Sequence, residues 1–254
     1  MLKRAIGIIP ARMGSTRFPG KPLELIHGIP MLKRVYGAVK GSFLISPCYV
    51  ATDSPEICAV CERLKMEYII TASDCRNGTE RAADAMRQLQ CRDGDLVVIV
   101  QADEPMIKSW MLDELAGAFN DKSVQIASLM VRPYSQSEFD DENVVKVATG
   151  SDGNALWFSR KSILGPNEAP IRIHIGVYAY RRDTLLHLSK CPPWGRELQQ
   201  RLEQYRALNE GLNIRMIEVP GRLISVDVPN DIGRVEAALN GAMEVVNETQ
   251  ETWR

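Results

Sequence analysis

Cysteine, long apolar runs and charge imbalance are all scarce in this chain of 254 residues. Each scarcity removes a class of explanation. The six cysteines, at 48, 58, 61, 75, 91 and 191, are too few and too scattered for the disulfide framework of a small secreted domain. The one close pair, Cys58 and Cys61, falls in a stretch that reads as helix. No second pair and no nearby histidine complete a zinc site there. The longest aliphatic run, 96–100, is far below a membrane span. The N-terminal run at 5–9 follows Lys3 and Arg4 but stops at Pro10 and Arg12, too short for a signal-peptide core. A cytoplasmic protein with no membrane association is therefore expected, and the sequon at Asn247 then has no secretory route that would give it meaning. The net charge is only −1, so no global field gathers nucleic acid or anionic lipid, and neither is expected as a partner. An anionic ligand must instead be held by a local cluster of cations.

The length suffices to bury roughly 70–75% of the unfolded chain's surface, which suits one domain over 1–254. Short aliphatic runs at 5–9, 49–52, 67–71 and 96–101 read as buried strands. Between them, 30–40, 55–65 and 79–89 read as helices. This alternation predicts an α/β fold with a mostly parallel, doubly wound sheet. From 126 to 180 the pattern changes to strands without long helices between them (126–131, 144–149, 155–159 and 173–180), predicting an antiparallel lobe. A helix over 196–209, capped by Gly211, a last strand over 222–227 and a helix from about Asn230 complete the reading.

Ligands of such sheets bind at the carboxyl ends of the strands, so the residues just beyond each strand are informative. The first strand runs into Pro10-Ala11-Arg12-Met13-Gly14-Ser15-Thr16-Arg17-Phe18-Pro19-Gly20-Lys21, where cations and glycines suit phosphate binding. The spacing is not that of a Walker A loop, and Pro22 stands where the metal-binding hydroxyl belongs. The fourth strand ends in Gln101-Ala102-Asp103-Glu104-Pro105, and the segment 223–227 ends in Asp227. Carboxylates so placed are costly unless paired or metal-bound, and two can converge on a hard cation such as magnesium. Asn77-Gly78-Thr79-Glu80-Arg81 opens a helix; it suits either base or ribose contact or plain capping. His174, in a strand of the second half, reads by itself as a structural histidine.

In order and spacing these segments resemble the 3-deoxy-manno-octulosonate (Kdo) cytidylyltransferase family nearly end to end. The resemblance rests on residues 10–23, on VATD at 50–53, NGTER at 77–81, VQADEP at 100–105, NVVKV at 143–147, FSR at 158–160, HIGVYAYR at 174–181, LEQYR at 202–206 and VDVPND at 226–231. It implies transfer of CMP from CTP to a Kdo-type sugar acid, for lipopolysaccharide or a related surface glycan, with Mg2+ as cofactor. It further implies that Arg12 and Lys21 bind the triphosphate, that Ala11, Gly78 and Thr79 lie against cytidine, and that Asp103 and Asp227 hold the metal. Gln101, Arg160, His174, Tyr178, Glu203 and Gln204 would line the sugar pocket, with Arg160 and His174 on the sugar carboxylate. The antiparallel segment resembles the family's dimerisation region, so a homodimer is implied. Ala102, Gln200 and a short 160–174 segment depart from the family pattern and point to a modified Kdo or another ulosonic acid as the alternative substrate. A glycosyltransferase fits less well, because Ala102-Asp103-Glu104 is not D-x-D, and a non-catalytic nucleotide- or sugar-binding protein would not need both carboxylates.

Overall fold

In the computed structural model, residues 5–15, 17–90, 95–161, 171–193, 195–221 and 223–251 are described, the side chains as far as 241. The chain opens on strand β1 (Ala5–Pro10), buried along its whole length. Gly20, at φ +75°, turns the following loop into a 3-10 turn that begins with Lys21. The two-residue strands β2 (Leu25–Ile26) and β3 (Ile29–Pro30) make a hairpin before helix α1 (Met31–Lys40). Helix α1 buries Met31, Leu32, Val35, Tyr36 and Val39 along one face, the helical repeat of an amphipathic element. Strand β4 (Ile45–Thr52) leads to α2 (Pro55–Arg63), where the Ser54 hydroxyl accepts from the Ile57 N–H and Pro55 takes the first position. Then come β5 (Tyr68–Ile70), α3 (Gly78–Gln88), β6 (Leu96–Val100), α4 (Ser109–Gly117) and β7 (Ile126–Val131). The second half runs through α5 (Gln136–Asp140), β8 (Lys146–Thr149), β9 (Ala155–Ser159), β10 (Ile171–Arg181) and α6 (Arg182–Leu188). It ends with α7 (Gly195–Gln200), α8 (Gln204–Asn209), β11 (Ile214–Glu218) and α9 (Asn230–Glu251).

The main sheet has the order β11-β7-β10-β6-β1-β4-β5. The pairings β1–β4, β1–β6, β4–β5 and β7–β11 are parallel, and β10 runs antiparallel to both β6 and β7. Strands β8 and β9 branch from β10 as an antiparallel extension. The α/β fold with its antiparallel extension is thus present, the extension being continuous with the main sheet. Burial on both faces explains the unbroken aliphatic runs. Leu96, Val98 and Val100 of β6 join one core with α1 and α4, while Val97 and Ile99 join a second core with α3 on the opposite face.

Two expected elements differ. The helix over 196–209 is broken in two at Arg201, which adopts φ +54°. The segment 223–227 is extended but joins no strand ladder; one hydrogen bond, from the Val226 N–H to the Asp103 carbonyl (2.9 Å), fastens it to the end of β6. Strand β11, with Ile214 and Met216 buried in alternation, is the seventh member of the main path; its periodicity is legible but too short to separate from a loop.

Candidate active site

A cavity of about 880 Å³ opens where β1 lies between β6 on one side and β4 on the other, at the carboxyl ends of these parallel strands. Ala11, Arg12, Lys21, Gly78, Gln101, Asp103, Arg160, His174, Tyr178, Glu203, Gln204 and Asp227 all line it. Thr79 does not. Its buried hydroxyl sits behind the wall and donates to Glu203 Oε2 at 2.6 Å.

The two aspartates converge although they are far apart in sequence. Lys21 Nζ donates to Asp103 Oδ2 (2.6 Å) and to the Val226 carbonyl (2.8 Å), and lies 4.0 Å from Asp227 Oδ1. Arg17 bridges Asp227 Oδ1 (2.9 Å) and Asn143 Oδ1 (3.3 Å). Asp231 holds the backbone, its Oδ2 accepting from the N–H groups of Asp227 and Val228. Burial raises the Asp227 pKa, with Arg17 opposing and Asp103 reinforcing the rise. Asp103 Oδ1 and Asp227 Oδ2 accept no hydrogen bond from the described residues. The site therefore presents two free hard oxygens, a donor set that fits a small divalent cation completing its shell with phosphate oxygens and water. Glu104, next to Asp103, is fully buried and accepts from Ser225 Oγ (2.8 Å) and the Gly176 N–H (3.2 Å). Burial and the Asp103 charge push its pKa to about 8.

Arg12 is exposed and forms no ion pair with another described residue, so its charge is free for a ligand. Asn77 caps α3 by accepting from the Glu80 N–H, so the capping reading of this segment holds. Gly78 nevertheless faces the cavity. A Cβ there would meet the Gln101 amide at 2.7 Å, so the absence of a side chain is what lets Gln101 lie over α3.

Arg160 donates to the carbonyls of Gln200, Glu142 and Asn143 and has no carboxylate partner among the described residues. His174 is buried and neutral, its pKa pushed down to about 3 by desolvation. Both ring nitrogens are engaged. Gln204 Nε2 donates to Nδ1 (3.4 Å), so the proton sits on Nε2 and goes to Ser128 Oγ (2.9 Å), whose own hydrogen goes to the Val177 carbonyl (2.8 Å). A bulge in β10 between Ile175 and Tyr178 makes room for this serine. His174 thus orients Gln204 from the cavity wall as a neutral group, and Arg160 is the charged member of the pair. The Gln204 amide oxygen is buried without a donor, the mark of a position that a ligand or water completes. Gln200 is exposed and off the cavity wall, touching Arg160 only through its carbonyl. The short 160–174 segment falls largely outside the described residues.

Several residues of the site escaped the sequence reading: Arg17, Asn143, Ser128 and Arg206. Arg17 stood in the basic loop without a role. The others act through partners distant in sequence and give no local signal. Arg206 is buried and makes a bidentate pair with buried Glu197, reaching the latter's Oε2 at 3.0 Å, and also approaches Glu80 at 3.5 Å. Arg206→Met is expected to destabilise the fold by about 3–5 kcal/mol, because the buried Glu197 carboxylate loses its bidentate guanidinium contact. Denaturant titration checks this; a loss below about 1 kcal/mol, the scale of an exposed pair, would contradict it.

His174 also gives a pH signature. Its folded pKa lies below its unfolded value, so its contribution to stability is complete above about pH 6.5 and is lost as pH falls toward 3. His174→Asn is expected to flatten the acid side of the Tm–pH curve between pH 7 and 4.5 by up to a few kcal/mol. An acid limb as steep as that of the wild type would show that His174 does not hold off its proton.

Cations, converging carboxylates and a cavity at the ends of parallel strands together define a nucleotidyltransferase, and the family model described as Cytidylyltransferase matches residues 6–214. The 3-deoxy-manno-octulosonate cytidylyltransferase of Myxococcus xanthus is 39% identical over 240 residues, covering 93% of this chain and 96% of that protein. Its counterpart from Bdellovibrio bacteriovorus is 36% identical, covering 93% and 98%. The chain belongs to the 3-deoxy-manno-octulosonate cytidylyltransferase family. Among solved structures, that of CMP:2-keto-3-deoxy-manno-octonic acid synthetase complexed with CTP superposes with a TM-score of 0.86 at 34% identity, covering 94% of this chain and 100% of its own. The 4-diphosphocytidyl-2C-methyl-D-erythritol synthase of Anaerococcus prevotii, 14% identical with a TM-score of 0.61, covers 94% of this chain and 99% of its own and shares the fold. Among the described residues no helix is long and apolar enough to cross a membrane.

Proposed function

We propose that the chain transfers CMP from CTP to a Kdo-type 2-keto sugar acid and releases pyrophosphate, the product serving lipopolysaccharide or a related surface glycan. The observation that carries this reading is the convergence of Asp103 and Asp227 beside Lys21 and Arg17, with Arg160, which lacks a carboxylate partner among the described residues, reached through Asn143. The carboxylates and cations supply what a metal-bound triphosphate needs, and Arg160 supplies what a sugar carboxylate needs. As the sugar's anomeric oxygen bonds to the α-phosphorus, the bond to pyrophosphate breaks, and negative charge grows on the departing oxygens. Arg12 and Lys21 stabilise that charge. Magnesium held by Asp103 and Asp227 would neutralise the phosphate oxygens and favour loss of the hydroxyl proton to water. Arg160 pairs with the sugar carboxylate, and Gln204, fixed by His174, offers its free amide oxygen to a sugar hydroxyl. Incubation with CTP, magnesium and Kdo, followed by mass spectrometry, should yield the CMP-sugar and pyrophosphate in equal amounts. Hydrolysis of CTP without a sugar nucleotide would refute the reading.

A cytoplasmic setting suits this reading, since it supplies CTP and keeps the buried thiols of Cys48 and Cys61 reduced. We also infer a symmetric homodimer built on the β8–β9 branch. Within the described residues β9 pairs along only one edge, and Leu156 on it is 64% exposed, a combination that self-association would cover. Sedimentation at micromolar concentration should give twice the chain mass, and Leu156→Lys should shift it toward monomer; a monomeric wild type would remove the inference.

A further inference from the structure

Away from the cavity, His187, Cys191 and Glu210 bring three different donor atoms together, all within 4.8 Å of one another. His187 lies in the last turn of α6 and Cys191 four residues on, the spacing that stacks side chains on one helical face; the Cys191 N–H continues the turn by bonding the Leu188 carbonyl. Glu210 arrives from elsewhere, as the C-cap of α8, where Gly211 at φ +71° turns the chain away. His187 Nε2 is 3.7 Å from Cys191 Sγ and 3.6 Å from Glu210 Oε2. Tetrahedral zinc, with bonds of about 2.0–2.3 Å to nitrogen, oxygen and sulfur, sets its donors about 3.3–3.6 Å apart, so the two separations need only a small contraction.

We propose that His187, Cys191 and Glu210 form a binding site for a zinc-like divalent cation, separate from the nucleotide cavity. None of the three lines that cavity, and none has a part in the chemistry above. The donors specify the class of ion. A thiolate and an imidazole favour a borderline metal over magnesium or calcium, and one thiolate with one carboxylate neutralises a dication. Three protein ligands leave a fourth position for water. Access is open, because the His187 and Glu210 side chains are 61% and 32% exposed while the sulfur lies beneath them. A bound ion would tie the end of α6 to the end of α8, the helix that carries Gln204 and Arg206.

The test uses the full chain, stripped with a chelator and titrated with cobalt(II) and then zinc. The expected result is one cobalt ion per chain, with sulfur-to-cobalt charge-transfer absorption in the near ultraviolet that zinc abolishes. Cys191→Ser should remove the band. His187→Gln, a change at the surface that the fold tolerates, should weaken binding at least about tenfold. Absence of the band in the wild type would overturn the proposal. So would a band undiminished in both variants, which would put the metal on another thiol, such as the Cys58 and Cys61 pair.

Discussion

Asp103→Asn is expected to cut kcat by roughly 10²–10³, with the fold intact and at saturating magnesium, and Asp227→Asn to do the same. The amide keeps the volume of the carboxylate, so packing around β6 is preserved. What changes is charge and the sense of a hydrogen bond. Asp103 Oδ2 accepts from Lys21 Nζ at 2.6 Å; an amide nitrogen there would set donor against donor, and an amide oxygen would hold the ammonium more weakly. Either way one of the two carboxylates offered to the metal is lost, and a single remaining carboxylate binds a hard cation poorly. The effect should fall on kcat, because the charge that needs neutralising grows as pyrophosphate departs. Steady-state kinetics with circular dichroism on the same preparations measure both halves of the statement. Near-normal turnover in either variant would remove that residue from the metal site.

Lys21→Ala should lower kcat/KM for CTP by about 10² or more while changing the KM for the sugar much less. The ammonium is nearly buried, 9% exposed, and its contacts are all oxygens: Asp103, the Val226 carbonyl and, further off, Asp227. Removing it has two consequences. The triphosphate loses a cation, and Asp103 loses the ammonium that holds it, leaving Arg17 alone to offset the charge of Asp227. Asp103, freed of its partner, would then move away from Asp227 or take up a proton, spoiling the metal site before CTP arrives. Arg12→Ala should act in the same direction but less strongly, since Arg12 is exposed and holds no other part of the site in place. A rise confined to the sugar KM in either variant would show that the loop after β1 does not serve the phosphates.

The sequence was most legible where one physical rule acts locally. Continuous aliphatic runs located β1, β6 and β7, because a strand covered on both faces has no polar side to confuse the pattern. The basic loop and Asp103 were found by position, just after buried strands. Asp227 was chosen for a reason the structure does not share: it ends no strand. It reaches Asp103 because a single backbone hydrogen bond from Val226 pins an irregular segment to β6, and Asp231 fixes the turn that follows. The break at Arg201 was invisible for a similar reason. The apolar positions 198, 202, 205 and 208 keep helical spacing across it, and nothing local requires the positive φ. His174 was placed in the pocket by resemblance to the family, but the resemblance did not reveal its protonation. The protonation follows from burial, and the tautomer from Ser128, 46 positions away in β7, and from the bulge that admits it. Contacts of this kind are properties of the sheet and leave no periodic trace in the chain.

Pyrophosphate release tests the central claim most directly when the purified chain is given CTP, magnesium and Kdo together and then with each omitted in turn. The account predicts sustained release only with all three, retained when Kdo is the acceptor and largely lost when UTP or ATP replaces CTP or when a nine-carbon sialic-type acid replaces Kdo. Release that continues without a sugar acid, or that prefers the nine-carbon acid, would contradict it.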